Sequence, residues 1–166
     1  MNKLENKFTY GYYVLTALKK ADNLKTRDKD YIAAGTINWI SQISFSPKIF
    51  SVAVAQKSDL NETIDYSEHF TVHILSSDHK EYVKTFGQKS TIIDNKINGV
   101  PFQKINNEAI IGDTLGYMTC KVIKSHNVGD HTVYYGEVVD EHIQKDKEAL
   151  NTSEFPIEYT KDKAEV

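Results

Sequence analysis

The stretch LGYMTCKVIKSHNVGDHTVYYGEVVD, Leu115 to Asp140, decides the fold. On either side of HNVGDH lie runs rich in Thr, Val, Tyr and Ile, side chains that suit a pleated, half-buried surface better than a helix. HNVGDH itself carries Gly129 and two Asx-type turn formers, Asn127 and Asp130. The pattern predicts two antiparallel strands, about Leu115–Ser125 and Thr132–Glu141, joined by a short loop.

Upstream the same chemistry recurs. Phe8 to Leu18 reads as a strand bent at Gly11, and the polar KKADNLKTRDKD after it as an exposed hairpin connection. A strand at about Tyr31–Ala34 leads into GTINWISQISFSP, ended by Pro47, and Ile49–Ala55 has the apolar run of a strand covered on both faces. Ser58 caps a helix through about Ser67, with Asp59 and Glu62 in its first turn. His69–Leu75 is a further strand, and Ser77 or Asp78 opens a second helix ending near Phe86, with Gly87 as its stop. Gln88–Asn107 is polar and loop-like. Six or seven antiparallel strands with two or three short helices predict a mainly β protein, a β-barrel with peripheral helices rather than a doubly wound sheet.

The 166 residues, against about 150 per domain, predict one domain spanning 1–166. Three Pro and eight Gly lie unclustered, with no repeat and no linker at which to divide the chain. Twenty basic against 23 acidic residues leave a net charge of -3, so no bulk cationic field exists for nucleic acid or an anionic membrane. The single Cys120 excludes an internal disulfide, a Cys-cluster zinc site and a redox dithiol, so redox chemistry requires a bound cofactor. The opening MNKLENKFTYGYYVLTALKK has no signal-peptide pattern, lipidation signals are missing, and no apolar run approaches about 18 residues; the expected location is cytoplasmic.

GxGxxG, GxxxxGK[ST], HExxH and GxSxG are all absent. His69 and His73 have helical metal-ligand spacing but lie in HFTVHIL, a strand-like run that favours edge or core histidines. EHIQKDKEALNTSE reads as a solvated face. Two segments carry more chemistry. Gln56 and Lys57 end a strand just before Ser58, Asp59, Leu60 and Asn61 open a helix, bringing together backbone N–H groups, a hydroxyl, an amide and an ammonium suited to an anion. A plain helix cap accounts for the same residues. In Gly35–Ser46, polar Thr36, Asn38, Ser41, Gln42 and Ser44 interleave with Ile37, Trp39, Ile40, Ile43 and Phe45, a surface for a planar heteroaromatic ligand or an ordinary amphipathic strand with its Trp in the core.

Taken in order, YGYYVLT, AAGTINWISQISFSP, AQKSDLNETI, HFTVHILS, FGQKS and LGYMTCKVIKSHNVGDHTVYYGEVVD resemble the flavin reductase-like FMN-binding split-barrel family, over about Tyr10 to Asp140. The likeness leans to its flavoredoxin and NAD(P)H:flavin oxidoreductase branch, and the Asn38–Ser44 stretch is also similar to modules attached to diflavin proteins. The resemblance implies an FMN-binding split barrel that forms a homodimer and holds flavin near the subunit interface. It places Thr36, Ile37, Asn38, Trp39 and nearby Ser44 along the isoalloxazine, and Lys57, Ser58 and Asn61 on the phosphate. Phe86, Gly87, Lys89 and Ser90 fall on the loop toward phosphate and ribityl chain, and His131 of the GDH motif faces flavin and nicotinamide.

Phe155 and Tyr159 are candidates to cover the ring. Family members usually carry Ser or Thr at the Asn61 position, and Asp59 adds an acid there, which leaves FAD beside FMN as the flavin. The activity so implied is electron transfer from NADH or NADPH to flavin or an acceptor protein, with a monooxygenase or a rubredoxin-like protein as partner and neither nucleic acid nor membrane involved. Two further readings stay open: a flavoredoxin-type electron carrier without NAD(P)H activity of its own, and a structural or regulatory domain without flavin.

Overall fold

The computed structural model describes residues 3–20 and 30–156. Most of the polar connection after the first strand and Tyr159 lie outside the described residues. The elements in chain order are β1 (Tyr13–Lys19), β2 (Tyr31–Ile37), β3 (Ile40–Ser44), β4 (Ile49–Ala55), α1 (Asp59–Ser67), β5 (His69–Ile74), α2 (Lys80–Thr85), β6 (Ile92–Ile93), β7 (Lys96–Ile97), β8 (Val100–Pro101), β9 (Gln103–Ile105), β10 (Glu108–Ile110), β11 (Gly116–Val128) and β12 (His131–Ile143).

Seven strands form one antiparallel sheet in the order β2-β1-β5-β11-β12-β4-β3. The sheet curls: Ala33 of β2, Leu15 of β1, Phe70 and Val72 of β5, Cys120 of β11, Tyr134 of β12 and Val52 of β4 share one core, which a flat sheet of this order could not bring together. Its two edge strands are not hydrogen-bonded to each other, so the barrel is split rather than closed. Leu60 and Ile64 of α1 enter the same core. A second core lies on the other face of β1, where Val14 and Leu18 pack with Val83 and Phe86 from α2 and its end, and with Ile97, Phe102, Ala109, Ile111 and Leu150. β1 is therefore buried on both faces, as its uninterrupted VLTAL run requires.

Ser58 caps α1 as expected, its hydroxyl accepting from Asn61 N at 3.1 Å. Four local expectations are corrected. The cap of the next helical segment is Ser76, because its hydroxyl reaches Asp78 N, and the segment opens as a 3-10 turn over Ser77–His79 before α2. β4 buries only Val52 and Val54 deeply, since one face of a barrel strand meets the core and the other is only partly covered. Gln88–Asn107 is not loop but a set of short hairpins, with positive φ at Asp94 and Asn95, at Asn98 and Gly99, and at Asn106 and Asn107. Two consecutive positive φ values are what the I′ turn needs, and Asn, Asp and Gly tolerate them. The expected HNVGDH loop likewise shrinks to Gly129 and Asp130, because β11 and β12 pair up to Val128 and His131.

His69 and His73 lie on β5, four residues and so ~13 Å apart along the strand. His69 Nδ1 pairs with Ser67 O at 3.1 Å. His73 is fully buried, its Nδ1 at 3.0 Å from Val14 O and its Nε2 accepting from Ile111 N at 3.0 Å. A carbonyl on one nitrogen and an N–H on the other require the neutral imidazole, and burial lowers its pKa to about 4. It is a core tie between sheet and the segment after β10.

Candidate functional site

A cleft of about 110 Å³ opens where three chain segments meet: the end of β2, the start of α1 and the residues following α2, with His131 at the rim. The geometry begins with the β4-to-α1 turn. Gln56 Nε2 donates to Gly129 O at 3.1 Å and His131 O at 2.8 Å, tying the turn to the β11–β12 tip. α1 then starts at Asp59, and the helix itself supplies no acceptor for the N–H groups of its first residues. Gly35 faces this helix so closely that an added Cβ would sit 2.9 Å from Leu60 Cδ2. The opposite wall is set by Thr36, whose Oγ1 donates to Val83 O at 2.9 Å and whose N–H donates to Phe86 O at 3.1 Å.

Of the residues expected at the site, Thr36, Ile37, Ser58, Phe86, Gly87 and His131 line the cleft. Lys57 occupies the turn leading into it. Ser90 ties the third wall down: its hydroxyl donates to Ala34 O at 3.1 Å, while its N–H donates to Asp59 Oδ2 at 2.8 Å. Trp39 is partly exposed and its ring centroid lies 4.9 Å from that of His131, so the Trp covers the His rather than entering the core. His131 Nδ1 is 2.7 Å from Asp130 Oδ1; because a carboxylate only accepts, this bond places a ring proton on Nδ1.

Other expected residues do not line the cleft. Asn61 is 5% exposed and turns inward, donating to Thr132 Oγ1 at 2.9 Å and Val54 O at 3.3 Å and accepting from Tyr134 OH at 3.1 Å. The Ser58 hydroxyl, though at the cleft, is engaged with Asn61 N and Ala55 O. Asn38 Nδ2 donates to Gly11 O at 2.9 Å, bracing the chain between β2 and β3. Ser44 lies at the end of β3, paired with Ile49, and Lys89 is an exposed residue outside the cleft lining. Phe155 packs its ring against Tyr12 at 5.9 Å on the second core, away from the cleft lining.

The sequence reading had no place for Gly35 as a helix-approach residue, for Gln88 in the lining, or for the Asp59–Ser90 clamp. The Gly35 role had a signal in a Gly within a strand run. The clamp had none, since it joins residues 31 positions apart.

The model of the flavin reductase like domain matches residues 5–164. A ferric-chelate reductase (NAD(P)H) from Archaeoglobus fulgidus is 26% identical over 152 residues, 90% of this chain and 85% of that protein. Diflavin flavoprotein A 1 from Synechocystis sp. is 26% identical over 147 residues, 87% of this chain, and the chain spans only 24% of that relative's length. The solved structure of flavin reductase PheA2 in its native state superposes with a TM-score of 0.71 at 28% identity, covering 89% of this chain and 87% of that one. With its split antiparallel barrel, its order of motifs and a family match across nearly its whole length, the chain belongs to the flavin reductase-like domain family.

Proposed function

We propose that this chain binds FMN in the cleft and passes electrons from NADH or NADPH to flavin or to an acceptor protein. The observation that carries the reading is the convergence of the α1 N-terminus, the Gly35–Ile37 edge and His131 on one cleft. The residues fit a flavin by their chemistry. Helix-start N–H groups and Lys57 suit a phosphate, Ile37, Leu60 and Phe86 provide apolar cover for a ring, and Thr36 and Gly87 expose backbone beside it. When bound, the flavin supplies the hydride and electron chemistry. The chain's own part is to hold and orient. Asp130 fixes the His131 ring through Nδ1, so that Nε2 is available to a polar group on nicotinamide or flavin. Trp39, its ring tilted against that of His131, limits its rotation.

Asp59 bears on how tightly flavin is held. Its carboxylate occupies the Ser90 N–H and stands at the helix start, where an arriving phosphate meets a like charge. That supports an exchangeable flavin, consumed by a monooxygenase partner, over a permanently bound one serving a rubredoxin-like protein; FAD is accommodated by the same phosphate chemistry. We also propose a homodimer, since Ile43 and Phe45 leave the β3 end, and Ile123, Val128 and Ile143 the β11–β12 hairpin, apolar and exposed.

The decisive experiment is the absorbance spectrum of the purified protein with and without added FMN, chromatography of heat-released cofactor, and anaerobic mixing with NADH and NADPH. FMN uptake with bleaching at about 450 nm on a catalytic timescale supports the reading. FMN bound but unreduced by either nicotinamide assigns a flavoredoxin-type carrier. A colourless protein that takes up neither FMN nor FAD overturns flavin chemistry and leaves a structural or regulatory domain.

A further inference from the structure

At the other end of β12 the molecule holds a second and larger cavity, about 410 Å³, within the size range of small-molecule sites. His131 and His142 are eleven positions apart on β12, ~35 Å along the strand, so this cavity and the cleft are separate. Its walls come from β5, the β9–β10 hairpin, β11 and β12. At its base lies Glu108, a carboxyl that is 6% exposed. Oε2 accepts from Thr71 Oγ1 at 3.3 Å, and that hydroxyl also lies 3.3 Å from Thr119 Oγ1. Oε1 has no hydrogen-bond partner among the described residues, although Glu108 lines the cavity.

The remaining lining narrows what fits. Asp140 is already satisfied, accepting at Oδ2 from His142 Nε2 at 2.9 Å and at Oδ1 from Glu141 N at 3.0 Å. Among the described residues no Lys or Arg lines the cavity, and two carboxyls face it. The Tyr117 and His142 rings lie tilted against each other with centroids 4.9 Å apart, presenting an aromatic wall, and Ile105, Ile110 and Val139 complete an apolar side. An anion would meet Asp140 and Glu108, whereas a cation can pair with the Glu108 carboxylate. A metal is disfavoured, because no group of three or more His, Cys, Asp or Glu among the described residues is placed to hold one.

We propose that this cavity is a second ligand site for a small organic cation, an alkyl- or arylammonium whose charged head meets Glu108 and whose apolar part lies against Tyr117, Ile110 and Val139. Oε1, which is not among the buried unpartnered atoms and so opens to the cavity, can accept a charge-assisted hydrogen bond, and the aromatic wall favours a cation further. Burial sets the pH dependence: it pushes the Glu108 carboxyl up to about 7, with His69 of β5 and the Thr71 hydroxyl only partly opposing. Cys120 of β11 feels the same carboxyl, which, after burial, helps raise its thiol to about 12. A bound ammonium ionises Glu108, so binding near neutral pH releases a proton.

The test uses the full chain without added flavin and benzylammonium as probe, followed by calorimetry in two buffers of different ionisation enthalpy. The expected result is saturable binding at millimolar concentration or tighter, proton release at pH 7, and binding at least about tenfold weaker for benzyl alcohol, the neutral analogue of the same shape. Glu108→Gln, which keeps the shape and removes the charge, also loses at least about tenfold. Equal affinity for benzyl alcohol, an unaffected Glu108→Gln variant, or no binding of benzylammonium at millimolar concentrations each overturns the proposal. The comparison of the two probes on the unaltered chain holds whatever the variant does to folding.

Discussion

The two ends of β12, each proposed to bind a ligand, offer it opposite kinds of contact. At the His131 end the polar side chains of the cleft are largely engaged within the protein: Thr36 on Val83 O, Ser58 on Ala55 O, Ser90 on Ala34 O. What faces outward there is backbone, a helix start and ring surface. At the His142 end the backbone is paired into the sheet and hairpins, and the group that faces the cavity is a side chain, Glu108. Recognition through backbone survives most substitutions, whereas recognition through one carboxyl hangs on that residue. The first suits a ligand with a phosphate and a flat ring, the second a ligand with one positive charge.

The largest expected effect tests what holds the second region in place. His73 ties Val14 O to Ile111 N just beyond β10, the strand that carries Glu108. His73→Ala leaves a cavity and two unpaired backbone groups, and urea denaturation at pH 7.5 should show a loss of about 3–5 kcal/mol. The unaltered protein carries a related acid dependence. With the folded-state pKa lowered to about 4 from 6.5, the unfolded chain binds a proton that the folded one refuses, so stability falls as pH drops from about 6.5 to 4.

Glu108 gives the opposite slope. Its folded-state value is raised to about 7 from 4.5, so the folded chain keeps a proton that the unfolded one releases, and stability falls as pH rises from about 4.5 through 7. Glu108→Gln should therefore leave stability unchanged at pH 4 and raise it at pH 8.5, by on the order of 2–3 kcal/mol, in paired urea titrations. A flat difference between the two pH values would mean that the cavity is wet enough to solvate the carboxylate.

Smaller effects are expected at the cleft, where the backbone carries more of the work. Lys57→Ala should weaken FMN binding about tenfold in a fluorescence-quenching titration, the size of one charge-assisted contact; unchanged affinity would put the phosphate elsewhere. Asp59→Asn keeps an acceptor for Ser90 N–H while removing the charge, and should tighten FMN by a few-fold with folding stability little altered. Weaker binding in that variant would show that the carboxylate organises the site rather than opposing the ligand.

Much of the architecture is local and so was readable along the chain. Ser58 with Asp59 and Glu62 announces α1, and alternating β-branched and aromatic runs announce β1, β2, β4, β5, β11 and β12. The hairpins between Ile92 and Ile110 were legible too, through Asn98-Gly99 and Asn106-Asn107, but their polar composition reads as loop unless turn chemistry is weighed first. The order of motifs was enough to point to the family, and with it to Thr36, Lys57 and His131.

What one dimension could not settle is where polar side chains aim. Asn61 directly follows Leu60 of the cleft lining yet spends its amide on Thr132 and Tyr134, because the curl of the sheet brings β12 under α1. Asn38 is drawn to Gly11, and Asp59 reaches Ser90 across 31 positions. Glu108, in a stretch that looks solvated, becomes the base of a cavity because the β9–β10 hairpin folds back onto β5 and β1. Periodicity and capping act over a few residues and are written in the order of side chains; burial, and with it the charge state of His73 and Glu108, arises only when distant strands close over a group and remove its water.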